Sequence, residues 1–223
     1  MPLSEKCQAG KHGLHAAAVS LYNEPMDKNT LRKEMMKKRN ELEPDFVTGA
    51  SLTITETILG SREWKSAKTV MLYSSFKNEP GTEILIREAL RAGKTAVLPF
   101  TDPEFQIIPY IVPSLEEKYF QTSPLGIREP SPAACERANP EKIDLILFPG
   151  VVFDQSGNRI GFGKGCYDRF LRKLDPDVPR WALAYDFQVL EHIPSEKTDI
   201  PASALVTETG IRNIYLNFCG LSI

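Results

Sequence analysis

One stretch, DLILFPGVVFDQSGNRIGFGKGCYDRFLRK at residues 144–173, limits the possible folds more than any other part of the chain. It begins with an uninterrupted apolar run, Leu145 to Phe148, which reads as a buried strand and is closed by Pro149-Gly150. A polar loop bearing glycines follows and feeds a short helix. Gly161, Gly163 and Gly165 alternate with Phe162 and Lys164, so this backbone is free to take positive φ and approach a ligand without a Cβ in the way. Amides in such a turn, ahead of a helix N-terminus, form a concavity of partial positive charge. Arg159 and Lys164 add full charges to it. The expected guest is an anion, above all a phosphate chain.

That attraction has to be local. With 27 Lys plus Arg against 29 Asp plus Glu the net charge is −2, so no global basic field draws nucleic acid. Apolar residues at 42% and charged residues at 25% are the balance of a globular protein, and 223 residues suffice for one domain with a proper core. Cys7, Cys135, Cys166 and Cys219 form no C-x-x-C pair, so neither a zinc knuckle nor a disulfide framework is indicated. His12 and His15 share an H-x-x-H spacing in a segment without core pattern and read as surface residues. The longest apolar runs fall short of a membrane span and the N-terminus lacks signal-peptide order, so a cytoplasmic protein is expected. A monomer without membrane or nucleic-acid partners is the matching expectation.

Residues 1–25 show no periodicity and are read as an appendage, weakly ordered or docked. Residues 26–223 are read as a single α/β domain of three layers, a mostly parallel central sheet flanked by helices. Asp27 is placed to cap a helix from Lys28 to Leu42. Between Lys28 and Arg39 this helix carries six basic residues and one acid, read either as a solvated face or as a source of phosphate ligands from Lys28 and Arg32. A second helix follows Pro44, from Asp45 toward Leu59. Strand Thr69–Tyr73, helix Thr82–Arg91 and strand Thr95–Leu98 make a βαβ unit, which implies right-handed parallel crossovers. The helix is expected to face the core through Ile84, Leu85, Ile86 and Leu90. Phe105–Val112 reads as an edge strand and Ser123–Pro140 as a surface loop. Trp181–Tyr185, Ala204–Thr207 and Ile211–Leu216 supply the remaining strands.

Ligands gather at the carboxyl ends of strands in open α/β sheets. Three loops meet that description: one after TVMLY with Glu79 and Thr82, one after LILFP with Arg159 to Asp168, and one after WALAY from Gln188 to Asp199. A basic glycine loop beside several carboxylates suits a magnesium nucleotide. The loop matches neither a Walker sequence nor the dinucleotide fingerprint, since its spacing is G-x-G-x-G and about ten residues separate it from its strand.

The segment PGVVFDQSGNRIGFGKGCYDRFL resembles the signature of the 5-formyltetrahydrofolate cyclo-ligases, approximately P-G-x-A-F-D-x-x-G-x-R-L-G-x-G-x-G-Y-Y-D-R. Further likenesses keep the family's order. Lys28 and Arg32 match its K-x-x-x-R helix, Tyr73 to Thr82 its strand and loop, and Gly126 to Pro130 its G-I-x-E-P. Gln188, Pro194, Glu196, Asp199, Thr207 and Glu208 match its closing residues. The resemblance implies an enzyme that uses ATP and Mg2+ to convert 5-formyltetrahydrofolate into 5,10-methenyltetrahydrofolate, releasing ADP and phosphate.

It also implies roles. Lys28, Arg32, Arg159, Gly161, Gly163, Lys164 and Gly165 would hold the nucleotide, with Arg159, Lys164 and Tyr167 acting at the reacting groups. Glu79 and Tyr167 would meet the folate, and Asp168 and Asp199 the metal. Plainer readings stand beside these: Asp168 as a helix cap, Asp199 as an exposed loop acid, Glu79 as a turn residue before Pro80, and Tyr167 as packing under the loop. Cys166 departs from the family tyrosine, Val152 from the common alanine, and Pro80-Gly81 from the usual residues. A ligand-binding protein without turnover and a sugar-phosphate isomerase or kinase remain rival classes.

Overall fold

A computed structural model of the chain describes residues 27–214. The appendage at 1–25, with Cys7, His12 and His15, lies outside the described residues, as do Cys219 and the last residues of the terminal strand.

Helix α1, Lys28–Asn40, starts where the sequence predicts. Asp27 Oδ1 accepts hydrogen bonds from the Asn29 and Thr30 amides at 2.7 and 3.2 Å. Helix α2, Pro44–Gly60, begins on the proline rather than after it, because a first-turn residue needs no amide partner. A five-residue helix, α3 at Arg62–Ser66, is too short to leave a periodic signal; Ser61 caps it through the Trp64 amide. Helix α4 covers Glu83–Arg91 and α5 Cys166–Leu171. On α4 the inward residues are Leu85, Ile86 and Ala89, whereas Ile84, expected in the core, is 43% exposed.

Among the described residues the main sheet has eight strands in the order β13-β12-β10-β7-β1-β2-β3-β6. Its parallel part comprises β12 (Ala204–Thr207), β10 (Arg180–Leu183), β7 (Leu145–Pro149), β1 (Thr69–Met71) and β2 (Thr95–Thr101). β3 (Ile107–Ile111), β6 (Glu136–Arg137) and β13 (Gly210–Asn213) add antiparallel margins. β3 is therefore next to the margin rather than on it, and its Pro109 stands opposite Pro99 of β2. Phe105, expected as the start of that strand, sits instead in the preceding turn with φ +60°. The segment at 123–140 also holds more structure than a loop. Arg128–Pro130 (β5) pairs with Phe120–Thr122 (β4), and β6 lies further on.

Side-chain alternation divides the sheet's two faces. Val70, Leu72, Leu145, Leu147, Trp181 and Leu183 pack with Ile54 and Ile58 of α2 and with Leu85 and Ala89 of α4. Met71, Ile146, Phe148, Ala182 and Ala184 pack on the other face with Phe170 and Leu171 of α5. These are the expected three layers.

The loop after β7 is more ordered than its composition suggests. Val152–Asp154 (β8) and Arg159–Ile160 (β9) form an antiparallel pair, joined by Val189–Leu190 (β11). Asp154 closes that hairpin, accepting from the Ser156 and Asn158 amides at 2.9 Å each. Against it rest Leu31 and Met35 of α1 in a third cluster with Val151, Val152, Ile160 and Ile193. Gly150 makes this tight return possible, since a Cβ there would stand 2.4 Å from Phe153 Cζ and 2.9 Å from Arg159 Cγ. Gly150→Ala is expected to cost about 2 kcal/mol by overpacking, read as a lower denaturant midpoint with unchanged slope.

Candidate functional site

β10, β7 and β1 are adjacent and parallel, so the three loops named from the sequence leave the same edge of the sheet. Helix α1 fastens all three. Lys28 Nζ donates to Asp199 Oδ2 at 2.8 Å and Glu196 Oε1 at 2.9 Å in the loop beyond β11. Arg32 Nε donates to the Gly161 carbonyl at 2.7 Å in the glycine loop. Arg39 donates through Nε to the Lys77 carbonyl at 3.1 Å and through Nη1 to the Gly150 carbonyl at 3.0 Å. The expectation that Lys28 and Arg32 reach this edge is met in position. In this state they engage carboxylates and a carbonyl. Burial works against the charge of Lys28, but its hydrogen bonds to Asp199 and Glu196 outweigh that and hold its pKa above the usual value.

Arg39 is the residue the sequence reading missed. It falls within the basic run of α1, yet it is 1% exposed. Its spacing carried the signal: Leu31, Met35 and Arg39 are four apart, so the arginine continues the apolar stripe.

In the glycine loop Gly163 has φ +94° and Gly165 φ +63°, the latter opening α5. Gly161, expected to share that freedom, is not in the left-handed region; its carbonyl instead receives Arg32. The Arg32 guanidinium lies against the loop, its Nη2 standing 3.4 Å from where a Cβ on Gly163 would be. Lys164 Nζ lies 4.6 Å from the Phe105 ring centre, a cation–π contact from the β2–β3 turn.

Asp168 is not a cap: Gly165 holds that position, and Asp168 Oδ1 accepts from Arg159 Nη2 at 2.7 Å and from the Ile200 amide at 3.3 Å. The buried Arg159 guanidinium lies 5.3 Å from the Phe148 ring centre and 5.5 Å from that of Tyr167. Asp199 is the residue before Ile200, whose amide donates to Asp168, and its own Oδ2 accepts from the Glu196 amide at 2.9 Å. Among the described residues no three His, Cys, Asp or Glu side chains form a metal cage. Asp168 and Asp199 are the carboxylates of these loops that could share a cation such as Mg2+, an ion that keeps several waters and is commonly held by one or two carboxylates with substrate phosphate oxygens.

At the far end, Glu79 is buried rather than turning freely before Pro80. Its Oε2 accepts from the Phe76 amide at 3.1 Å and its Oε1 lies 3.6 Å from Arg39 Nη2. Burial pushes its carboxyl up to about 7, against the opposing pull of Arg39 and the Phe76 amide. Tyr167 packs at 5.8 Å on Phe148, and burial, with Glu79 adding to it, raises its phenol far above the usual range. Packing and proximity to Glu79 thus coexist in Tyr167. Glu129 in the Gly126–Pro130 segment is a second acid whose carboxyl is raised by burial. Gln188 is internal: its Nε2 donates to the Val151 carbonyl at 2.8 Å and its Oε1 accepts from the Tyr185 amide at 2.9 Å, tying two loops together.

Fold and geometry together define the class: an α/β protein with a mixed-charge site at the carboxyl edge of a mostly parallel sheet, strapped by its first helix. Comparison with known proteins sharpens this. The profile of the 5-formyltetrahydrofolate cyclo-ligase family matches residues 24–208. The 5-formyltetrahydrofolate cyclo-ligase of Haemophilus influenzae is 31% identical over 173 residues, covering 77% of this chain and 92% of that protein. The mouse protein of the same name is 26% identical, covering 81% and 93%. Among solved structures, the 5,10-methenyltetrahydrofolate synthetase of Aquifex aeolicus superposes with a TM-score of 0.75 at 36% identity, covering 89% of this chain and 96% of that one. The chain belongs to the 5-formyltetrahydrofolate cyclo-ligase family.

Proposed function

We propose that this protein converts 5-formyltetrahydrofolate into 5,10-methenyltetrahydrofolate at the expense of ATP, with ADP and phosphate as products. Membership of the family supports the reaction, and the observation that carries the site assignment is the strapping of three loops by Lys28, Arg32 and Arg39 of α1. The triphosphate lies in the glycine loop between Arg32, Arg159 and Lys164, with the backbone at Gly161, Gly163 and Gly165 around it. Lys28 exchanges its carboxylate partners for phosphate oxygens. Asp168 and Asp199 are the residues that would hold Mg2+, which would supply neutralisation of phosphate charge.

The formyl oxygen is a poor leaving group until it takes the γ-phosphoryl, forming an O–P bond as the bond to ADP breaks. N10 of the substrate then attacks the formyl carbon. Its proton passes to Glu79, whose raised proton affinity suits an acceptor near neutrality, and the phosphorylated oxygen leaves as phosphate. Tyr167 lines the folate side. Positioning and charge neutralisation supply the catalysis, and no protein nucleophile is needed. Cys166, half-buried and with its thiol raised by burial, is a packing residue.

Purified protein given 5-formyltetrahydrofolate, ATP and Mg2+ is expected to generate methenyl absorbance, and to generate none when ATP or Mg2+ is withheld. Lys164→Ala is expected to raise KM for ATP by about tenfold or more, and Asp168→Asn to weaken the response to Mg2+. Absence of product from the unmodified protein under these conditions overturns the reading.

A further inference from the structure

We propose that Arg39 is the positioning residue for Glu79, holding the acid at a fixed place between the first helix and the two loops that enclose the folate side. The inference rests on the folate reaction proposed above.

The geometry is a clamp with contacts in both directions. Nε and Nη1 of one planar guanidinium are committed to carbonyls on different loops, Lys77 at 3.1 Å and Gly150 at 3.0 Å. In return Asn78 Nδ2 donates to the Arg39 carbonyl at 3.1 Å. Lys77 and Asn78 both have positive φ, at +50° and +55°, a conformation that asparagine tolerates and that is uncommon for lysine. The turn that carries Glu79 is thus hydrogen-bonded to Arg39 on both sides, through the Lys77 carbonyl and the Asn78 side chain. The remaining nitrogen, Nη2, is buried without a hydrogen-bond partner and faces Glu79 Oε1 at 3.6 Å. The Phe162 ring from the glycine loop covers the guanidinium, 5.8 Å from Cζ to ring centre. Anchored at two corners, this charge cannot swing away from the acid.

Tyr73 just beyond β1, Tyr167 from α5 and Tyr185 beyond β10 also interact with Glu79, and burial keeps each phenol protonated. Arg39 is the facing group that carries a full charge. Removing that charge leaves a buried carboxylate uncompensated, so the acid holds its proton to higher pH.

The test uses the full-length protein and its Arg39→Met, Arg39→Gln and Arg39→Lys variants. Turnover is followed against pH, with KM measured for 5-formyltetrahydrofolate and for ATP separately. Arg39→Met and Arg39→Gln are expected to move the rising limb of kcat/KM alkaline by about one pH unit or more, with KM for ATP held within about twofold. Arg39→Lys, which retains the charge, keeps the limb near its original place. Arg39→Gln preserves a donor for one carbonyl and carries the test if Arg39→Met does not fold. A folded Met or Gln variant with an unmoved limb overturns the inference. The same titration can be read without turnover, as the infrared carboxylate band lost in Glu79→Gln. An unmodified protein that does not turn over thus refutes the reaction, while that band still decides the role of Arg39.

Discussion

Glu79→Gln is expected to lower kcat by roughly 100- to 10,000-fold and to abolish the rise of activity through neutral pH, because it removes the proposed acceptor of the N10 proton while keeping the side chain's shape. The unmodified enzyme should gain activity as the carboxyl ionises around its raised value of about 7. Stability should move in the opposite sense. The carboxyl has a pKa of 4.5 when unburied and about 7 in the fold, so between those values the folded protein holds a proton that the unfolded chain has lost. The contribution of this carboxyl to stability is then fully present below 4.5 and is lost as pH rises through about 7, a total on the order of 3 kcal/mol. Glu79→Gln should remove that slope. Chemical denaturation at a series of pH values measures it directly, and a slope that survives in the variant would assign the titration to another group.

Arg159→Met carries the second large effect. Its guanidinium has 4% of its side-chain surface exposed, pairs with Asp168 and lies near the faces of Phe148 and Tyr167. Its loss removes one partner of a buried ion pair and costs about 3–5 kcal/mol, a fall in Tm on the order of 10 °C. Asp168 also loses its orientation toward the rim, so kcat/KM should fall by about 100-fold or more in the fraction that remains folded. Arg159→Lys should recover little of either, since a point charge on a flexible stem replaces a planar fork. Calorimetry together with methenyl absorbance separates the two losses. A variant with native Tm and native kcat/KM would remove Arg159 from the site.

The sequence by itself determined the layers and the edge on which the site lies. Leu145 to Phe148 read as a buried strand, and the βαβ pattern from Thr69 to Leu98 implied parallel neighbours. Loops leaving parallel neighbours share an edge whatever their distance along the chain. Short pairings were not legible. β8 and β9 owe their existence to a partner strand at 189–190 and to the Asp154 hairpin, neither of which leaves a local period. The spacing of Leu31, Met35 and Arg39 marks Arg39 as inward, but only the tertiary structure decided which partners each charge meets. Lys28 and Arg39 have the same kind of charge on the same helix, yet one meets loop acids at the rim and the other is sealed over Glu79. The physical reason is that burial depends on what packs above a side chain, and for Arg39 that is Phe162 and the turn at 77–79, brought there by the sheet and not by α1's own residues.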